Sequence, residues 1–180
     1  MKKYESIRLV KSEDLNHHGT LFAARGAAWL VEAAFTAAAC AQGNTSQVVC
    51  RNLHDMAFTH PVKPGDILNF TGRIVYTGKT SLVVHVKAVS VMTGEQAIEG
   101  FATFVTVQEG IGGKLIHGIV LDKTEDEEEL SLRERALKYV KKEYFNSVQV
   151  AAHTAGIVRI VKWGEQYEYI TAVTGSSEAD

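Results

Sequence analysis

The first nineteen positions are polar and end in Asp14-Leu15-Asn16-His17-His18-Gly19, a turn-rich entry to the next segment. From 20 to 42 the chain then runs apolar almost without a break, with ten alanines and Trp29, Leu30, Val31 and Phe35 among them. Alanine is the best helix former and Gly43-Asn44 is a stop signal, so this stretch predicts one long helix. Its apolar positions fall on nearly every side, the pattern of a helix buried all round. Side chains of methyl size let other backbones approach closely, which suits a helix wrapped by a sheet.

Strand patterns come next. Positions 47–59 are rich in Val and aromatic residues, and Pro61-Val62-Lys63-Pro64-Gly65-Asp66 breaks them. Between 67 and 77, Leu68, Phe70, Ile74 and Tyr76 share one face, and Asn69, Thr71 and Arg73 share the other. Gly78-Lys79 turns the chain into 80–92, where Leu82, Val84, Val86 and Ala88 line one face, and Thr93-Gly94-Glu95 turns it again into 96–107. Short turns between consecutive strands mean antiparallel pairing. The expected class is α+β: a central helix against an antiparallel meander.

Past 108 the pattern changes. Gly110-Ile111-Gly112-Gly113 reads as a loop and 124–142 as a charged helix, with Thr124 and Glu127 spaced as a capping box and Arg133, Arg135, Lys138, Lys141 and Lys142 towards its end. The acid run 125–129 fits the solvated start of that helix better than a metal site. Two strand-like stretches, 157–161 and 167–173, flank Trp163-Gly164 as in a β-hairpin. The expected organisation is a main domain over 1–108, a loop and helix over 109–146, and a tail extension over 147–180.

Charge narrows the function classes. Nineteen Lys and Arg against 21 Asp and Glu give a net charge of −2, without the basic excess of a nucleic-acid-coating protein. No apolar run reaches the length of a membrane span, and Met1-Lys2-Lys3-Tyr4-Glu5-Ser6 lacks the apolar core of a signal peptide. Cys40 and Cys50 are too few for a disulfide framework and read as small buried hydrophobes. The expectation is a reduced, cytoplasmic protein with neither nucleic acid nor membrane as partner.

Candidate chemistry is sparse. The run from Gly72 to Thr80 nearly matches a phosphate-binding P-loop, but it has five residues between its glycines where the motif has four, and it alternates as a strand. No nucleophile elbow, zinc-protease helix, paired-cysteine motif or dinucleotide fingerprint occurs. His17 and His18 are adjacent, a spacing at which side chains point apart, so no metal is expected. Glu32 stands out as the one charge between Arg25 and Arg51, inside the most apolar stretch. A carboxylate there must be paired, neutral or facing a cleft.

Asn16-His17-His18-Gly19-Thr20-Leu21-Phe22, followed by a Trp and an acid on an Ala-rich helix, resembles the opening of hot-dog-fold acyl-CoA thioesterases, the broad-specificity and brain-type hydrolases in particular. Phe58-Thr59-His60-Pro61-Val62-Lys63-Pro64-Gly65-Asp66 is similar to that family's F-x-x-P-V-x-x-G-D segment, Gly78-Lys79-Thr80-Ser81-Leu82 to its G-[RK]-T-S turn, and Phe104-Val105-Thr106-Val107 to its closing strand. The resemblance covers roughly 10–140. It implies a long helix wrapped by an antiparallel sheet, protomers paired edge to edge as dimers or trimers of dimers, and active sites at the dimer interface. The implied reaction is hydrolysis of acyl-CoA to free acid and coenzyme A, with no cofactor beyond the coenzyme A of the substrate.

Under that resemblance Asn16 and Glu32 are the catalytic candidates. Gly19, Phe22, Ala23 and Ala24 would hold the thioester, and Gly78, Lys79, Thr80 and Ser81 would line the coenzyme A path, with Lys79 answering phosphate charge. Two positions depart from the family pattern. Its aspartate falls twelve residues after the motif glycine, where this chain has Val31, and Glu32 comes one residue later, about 100° around the helix. Its Gly-Gly is Ala23-Ala24 here. A protein that binds acyl-CoA without hydrolysing it is therefore the rival expectation, and a hydratase using His17 or His18 is a third.

Overall fold

The computed structural model describes residues 2–154, 157–163 and 166–171. The chain divides into two compact units, one ending at Ala136 and one beginning at Leu137. In the first, strands β1 (Tyr4–Leu9), β2 (Val48–Phe58), β3 (Ile67–Thr77), β4 (Ser81–Ser90) and β5 (Gln96–Thr106) form a sheet in the order β1-β3-β4-β5-β2. Every pairing is antiparallel. Helix α1 (Ala23–Gln42) lies across one face, and the first turns of α2 (Glu127–Thr154) belong to the same unit. The second unit holds the rest of α2 and the antiparallel pair β6 (Ile157–Trp163) and β7 (Gln166–Thr171). No helix among the described residues is long and apolar enough to cross a membrane.

The inner face of the sheet carries the core. Leu68, Phe70, Val84, Val86, Ala88, Ile98, Ala102 and Phe104 alternate inward and bury against Trp29, Leu30, Ala33, Ala34, Ala37 and Ala38 of α1. Two glycines set how near the helix can come. A Cβ on Gly72 would stand 3.0 Å from Ala37 Cβ and 3.2 Å from Ala33 O, and one on Gly100 would stand 3.2 Å from Leu30 Cδ1. The small stripe of α1 and the bare backbone of β3 and β5 fit each other for that reason.

The fold is the hot-dog arrangement expected, and several local readings need correction. Helix α1 is not buried all round in one protomer: Arg25, Ala28, Glu32, Thr36 and Cys40 form an open stripe. The stripe holds one alanine only, and its Arg25, Glu32 and Thr36 recur at helical spacing, a signal masked by the apolar run around them. Cys40 on that stripe and Cys50 on edge strand β2 are both exposed, not buried. Strand β1 had no signal because its apolar Ile7 and Leu9 face outward while Tyr4, Ser6 and Arg8 are the less exposed set. The start of α2 is capped by Asp126, whose Oδ1 accepts from Glu129 N at 3.0 Å, rather than by a box between Thr124 and Glu127. That helix also continues to Thr154, past the boundary expected at 146.

Candidate active site

The loop entering α1 is held by a buried acid. Asp14 accepts from Lys11 N at 3.0 Å through Oδ2, pairs with Arg25 Nε at 3.1 Å through Oδ1, and takes Phe22 N on its backbone oxygen at 2.8 Å. Leu21 N donates to Val62 O at 2.8 Å, which ties the same loop to the β2–β3 connection. Within it, Asn16 Oδ1 accepts from His18 N at 2.8 Å and Thr20 N at 3.3 Å, and its Nδ2 donates to Thr20 Oγ1 at 3.1 Å. Gly19 takes the positive φ of 74° that closes this turn. The closed turn brings the His17 and His18 rings to 3.9 Å between centroids, so these side chains do not point apart.

Phe22 is the N-cap of α1 and has no side chain able to cap. Its carbonyl accepts from Arg25 N and Gly26 N at 2.9 and 3.1 Å. The N–H groups of Ala23 and Ala24, both exposed residues, have no acceptor among the described residues. Two donors at the positive end of a 20-residue helix face solvent. Arg25 adds a cation to the same turn, where the helix dipole favours acids. This end of α1 can hold an oxygen that acquires negative charge.

The turn from Gly78 to Ser81 lies elsewhere. Gly78 N donates to Ser81 O at 2.8 Å, and an added Cβ there would meet Ser81 Oγ at 2.6 Å. Thr106 N donates to Thr80 O at 2.9 Å and His117 N to Lys79 O at 3.4 Å, so the turn is strapped to the close of β5 and to the segment after it. Lys79 itself is exposed. Thr106 pairs with Val48 where β2 begins, just after α1 has ended. The structure therefore separates the expected site residues into two groups. Asn16, Gly19, Phe22, Ala23 and Ala24 sit at the start of α1, and Gly78, Lys79, Thr80 and Ser81 sit at its far end, about 30 Å away for a helix of this length.

Glu32 belongs to neither group. It is exposed, and its Oε2 takes Arg8 Nη2 of β1 at 2.6 Å. An ion pair this open contributes about 0–1 kcal/mol. Val31 beside it is half-buried. A cavity of about 480 Å³, which sequence reasoning missed, opens between the β2–β3 loop and the β4–β5 turn, lined by His60, Val62, Lys63, Met92, Glu95 and Ala97. Nothing in the residue pattern marked it, because its lining comes from two turns far apart in the chain.

The thioesterase superfamily profile matches residues 18–95. A hexameric acyl-CoA thioesterase is 30% identical, with 81% of this chain and 92% of that one covered at a TM-score of 0.67. This chain belongs to the hot-dog acyl-CoA thioesterases. An acyl-CoA hydrolase from Staphylococcus aureus, solved with butyryl coenzyme A and coenzyme A, is 27% identical over 85% of this chain and 92% of that one, with a TM-score of 0.70. The acyl-CoA hydrolase of Bacillus cereus shares the fold at 24% identity and a TM-score of 0.69, over 85% of this chain and 93% of that one. No curated protein matches the chain significantly. In the Staphylococcus enzyme an asparagine and an aspartate fifteen positions apart have each been replaced by alanine. Fifteen positions after Asn16 this thioesterase has Val31.

Proposed function

We propose that the protein hydrolyses acyl thioesters of coenzyme A, in a site shared between two protomers. The observation that carries this reading is the uncapped start of α1, where Ala23 and Ala24 offer free N–H donors beside the loop stapled by Asn16. Attack of water on a thioester carbonyl turns its oxygen into an oxyanion, and donors fixed in advance favour that state over the ground state. The remaining Nδ2 hydrogen of Asn16 orients water or substrate. The cavity beneath Val62 offers room at that end for the acyl group.

The two-protomer form rests on distance. Lys79, which answers the coenzyme A phosphates in this reading, stands about 30 Å from Ala24 in its own protomer. Glu32 is eight residues, about 12 Å, along the helix from Ala24, beyond reach of water at that carbonyl. An antiparallel pairing of β2 with a copy of itself brings the start of one strand beside the end of the other. The turn of one protomer then serves the α1 start of its partner, and Glu32 joins it only by leaving Arg8 of β1, at the opposite edge of the sheet from β2. β2 favours this pairing, because it hydrogen-bonds to β5 on one side and exposes Val49, Leu53 and Phe58.

The second reading, binding without turnover, draws on Val31 and on the engagement of Glu32 by Arg8. Thiol release from a panel of acyl-CoAs separates the two. The pure protein should release thiol, and Glu32→Gln should lower turnover by about 10²-fold or more with the fold intact, as loss of a positioned general base does. A parent that binds coenzyme A and releases no thiol favours the second reading. An active parent indifferent to Glu32→Gln removes Glu32 from the chemistry.

A further inference from the structure

We propose that the first turns of α2 are fastened to the outer face of the sheet by a clasp that acid loosens, with His85 as the group that titrates. The positions of β3, β4 and β5 that alternate away from α1 include Arg73, His85, Lys87, Glu99 and Phe101. Register sets Arg73 opposite His85, His85 opposite Phe101, and Lys87 opposite Glu99. On α2, Glu128, Leu132, Arg135 and Ala136 share one helical face, with Leu132 and Ala136 buried. Glu128 reaches Arg73 Nη1 at 3.3 Å and Lys87 Nζ at 3.1 Å. Arg135 Nη1 reaches Glu99 Oε1 at 2.8 Å and lies over the Phe101 ring at 4.6 Å.

His85 sits in the middle of this arrangement and is 2% exposed. Its Nε2 stands 2.9 Å from Glu99 Oε1, and Gln96 Nε2 donates to Oε2 of the same carboxylate at 3.2 Å. A carboxylate only accepts, so Nε2 carries the hydrogen and Nδ1 of the neutral ring is a lone pair. That Nδ1 is buried without a hydrogen-bond partner, and so is Nε of Arg73. A bare lone pair costs less there than an unpartnered N–H on a charged ring. Protonation would instead create a buried N–H with no acceptor, and a further positive charge beside Arg73 and Arg135.

Burial holds the His85 imidazole below its usual range, Arg135 and Arg73 push the same way, and Glu99 opposes them. Burial works to raise Glu99, but hydrogen bonds from His85 and Arg135 hold it below the usual carboxylate range; the Lys87 hydrogen bond, with Arg73 beside it, holds Glu128 there against burial. Both acids therefore stay ionised in mild acid while His85 responds. Once α2 lifts, the freed ring titrates near its ordinary value of about 6.5. The folded value is depressed, so the contribution of His85 to closure is complete above about 6.5 and declines as pH falls below it. If the closed form keeps a neutral ring, the open population rises about tenfold between pH 7.5 and 5.5.

Hydrogen exchange of the whole protein, corrected for the intrinsic rate at each pH, reads this directly. Protection over 127–136 should fall about tenfold from pH 7.5 to 5.5 in the parent while the inner strands keep theirs. His85→Gln retains a donor for Glu99 and cannot titrate in this range, so its protection should stay level. Unchanged parent protection, or an equal fall in His85→Gln, would overturn the proposal. Should that variant not fold, the His85 ring is followed by carbon-13 NMR in the parent. The ring should stay neutral from pH 7.5 to 5.5 while protection falls, and a ring that becomes protonated in that window with protection unchanged overturns the proposal equally.

Discussion

At its C-terminus α1 closes on itself, and at its N-terminus it does not. Gly43, at φ 77°, turns its N–H back to Ala39 O at 2.8 Å, and Asn44 caps the next turn by accepting from Ser46 N. The first turn has Phe22 where a capping side chain would stand, Arg25 where an acid would serve, and two N–H donors left over. Exchanging a capping residue for one that cannot cap costs about 0.5–2 kcal/mol. The chain accepts that cost at one end only. The helix is thus closed at one end and open at the other, and in the proposed reaction the open end receives the negative charge that develops on the thioester oxygen.

The sharpest way to break this contrast is to remove one donor without disturbing the helix. Ala23→Pro does so: proline suits the first helical position, and Phe22 at ψ 127° already has the extended backbone that a following proline requires. Turnover should fall about 10²–10³-fold, as loss of one oxyanion donor does, with the melting temperature almost unchanged. Full activity in Ala23→Pro would place the oxyanion elsewhere. At the other end the effect should be smaller and of a different kind. Lys79→Ala should raise KM for acyl-CoA about tenfold with kcat held, since loss of one charge-assisted contact is worth about 1.5–3 kcal/mol at most. Salt should produce the same weakening in the parent by screening. Equal binding of coenzyme A by parent and variant at low salt would remove Lys79 from the phosphate path.

How much of this was legible in the sequence differs by region. The meander was, because Leu68, Phe70, Val84 and Val86 face a helix while Thr71 and Lys87 face away, and that alternation survives in the letters. Strands β3 and β5 begin where turn chemistry said they would. Strand β1 was not legible, because its outward Ile7 and Leu9 invert the usual rule for an edge strand. The site was legible only in part. Motif order marked two candidate groups, but their separation at opposite ends of α1 is a matter of topology that no local spacing encodes. Glu32 stood out as a lone charge, and only the fold could bring Arg8 of β1 to it. The His85 clasp left no motif, since Arg73, His85, Glu99 and Arg135 meet only through strand register and the docking of α2.

If the two ends belong to one site only across two protomers, subunit mixing will reveal it. Ala23→Pro breaks the donor end, and Lys79→Glu breaks the turn. Each variant should be nearly inactive alone at low substrate concentration. After the two are unfolded and refolded together, random pairing makes about half of the dimers mixed, each with one intact site of two. Activity should then recover to about a quarter of the parent value. A mixture no more active than the sum of its parts would show that each protomer holds its own site, and would contradict the shared one.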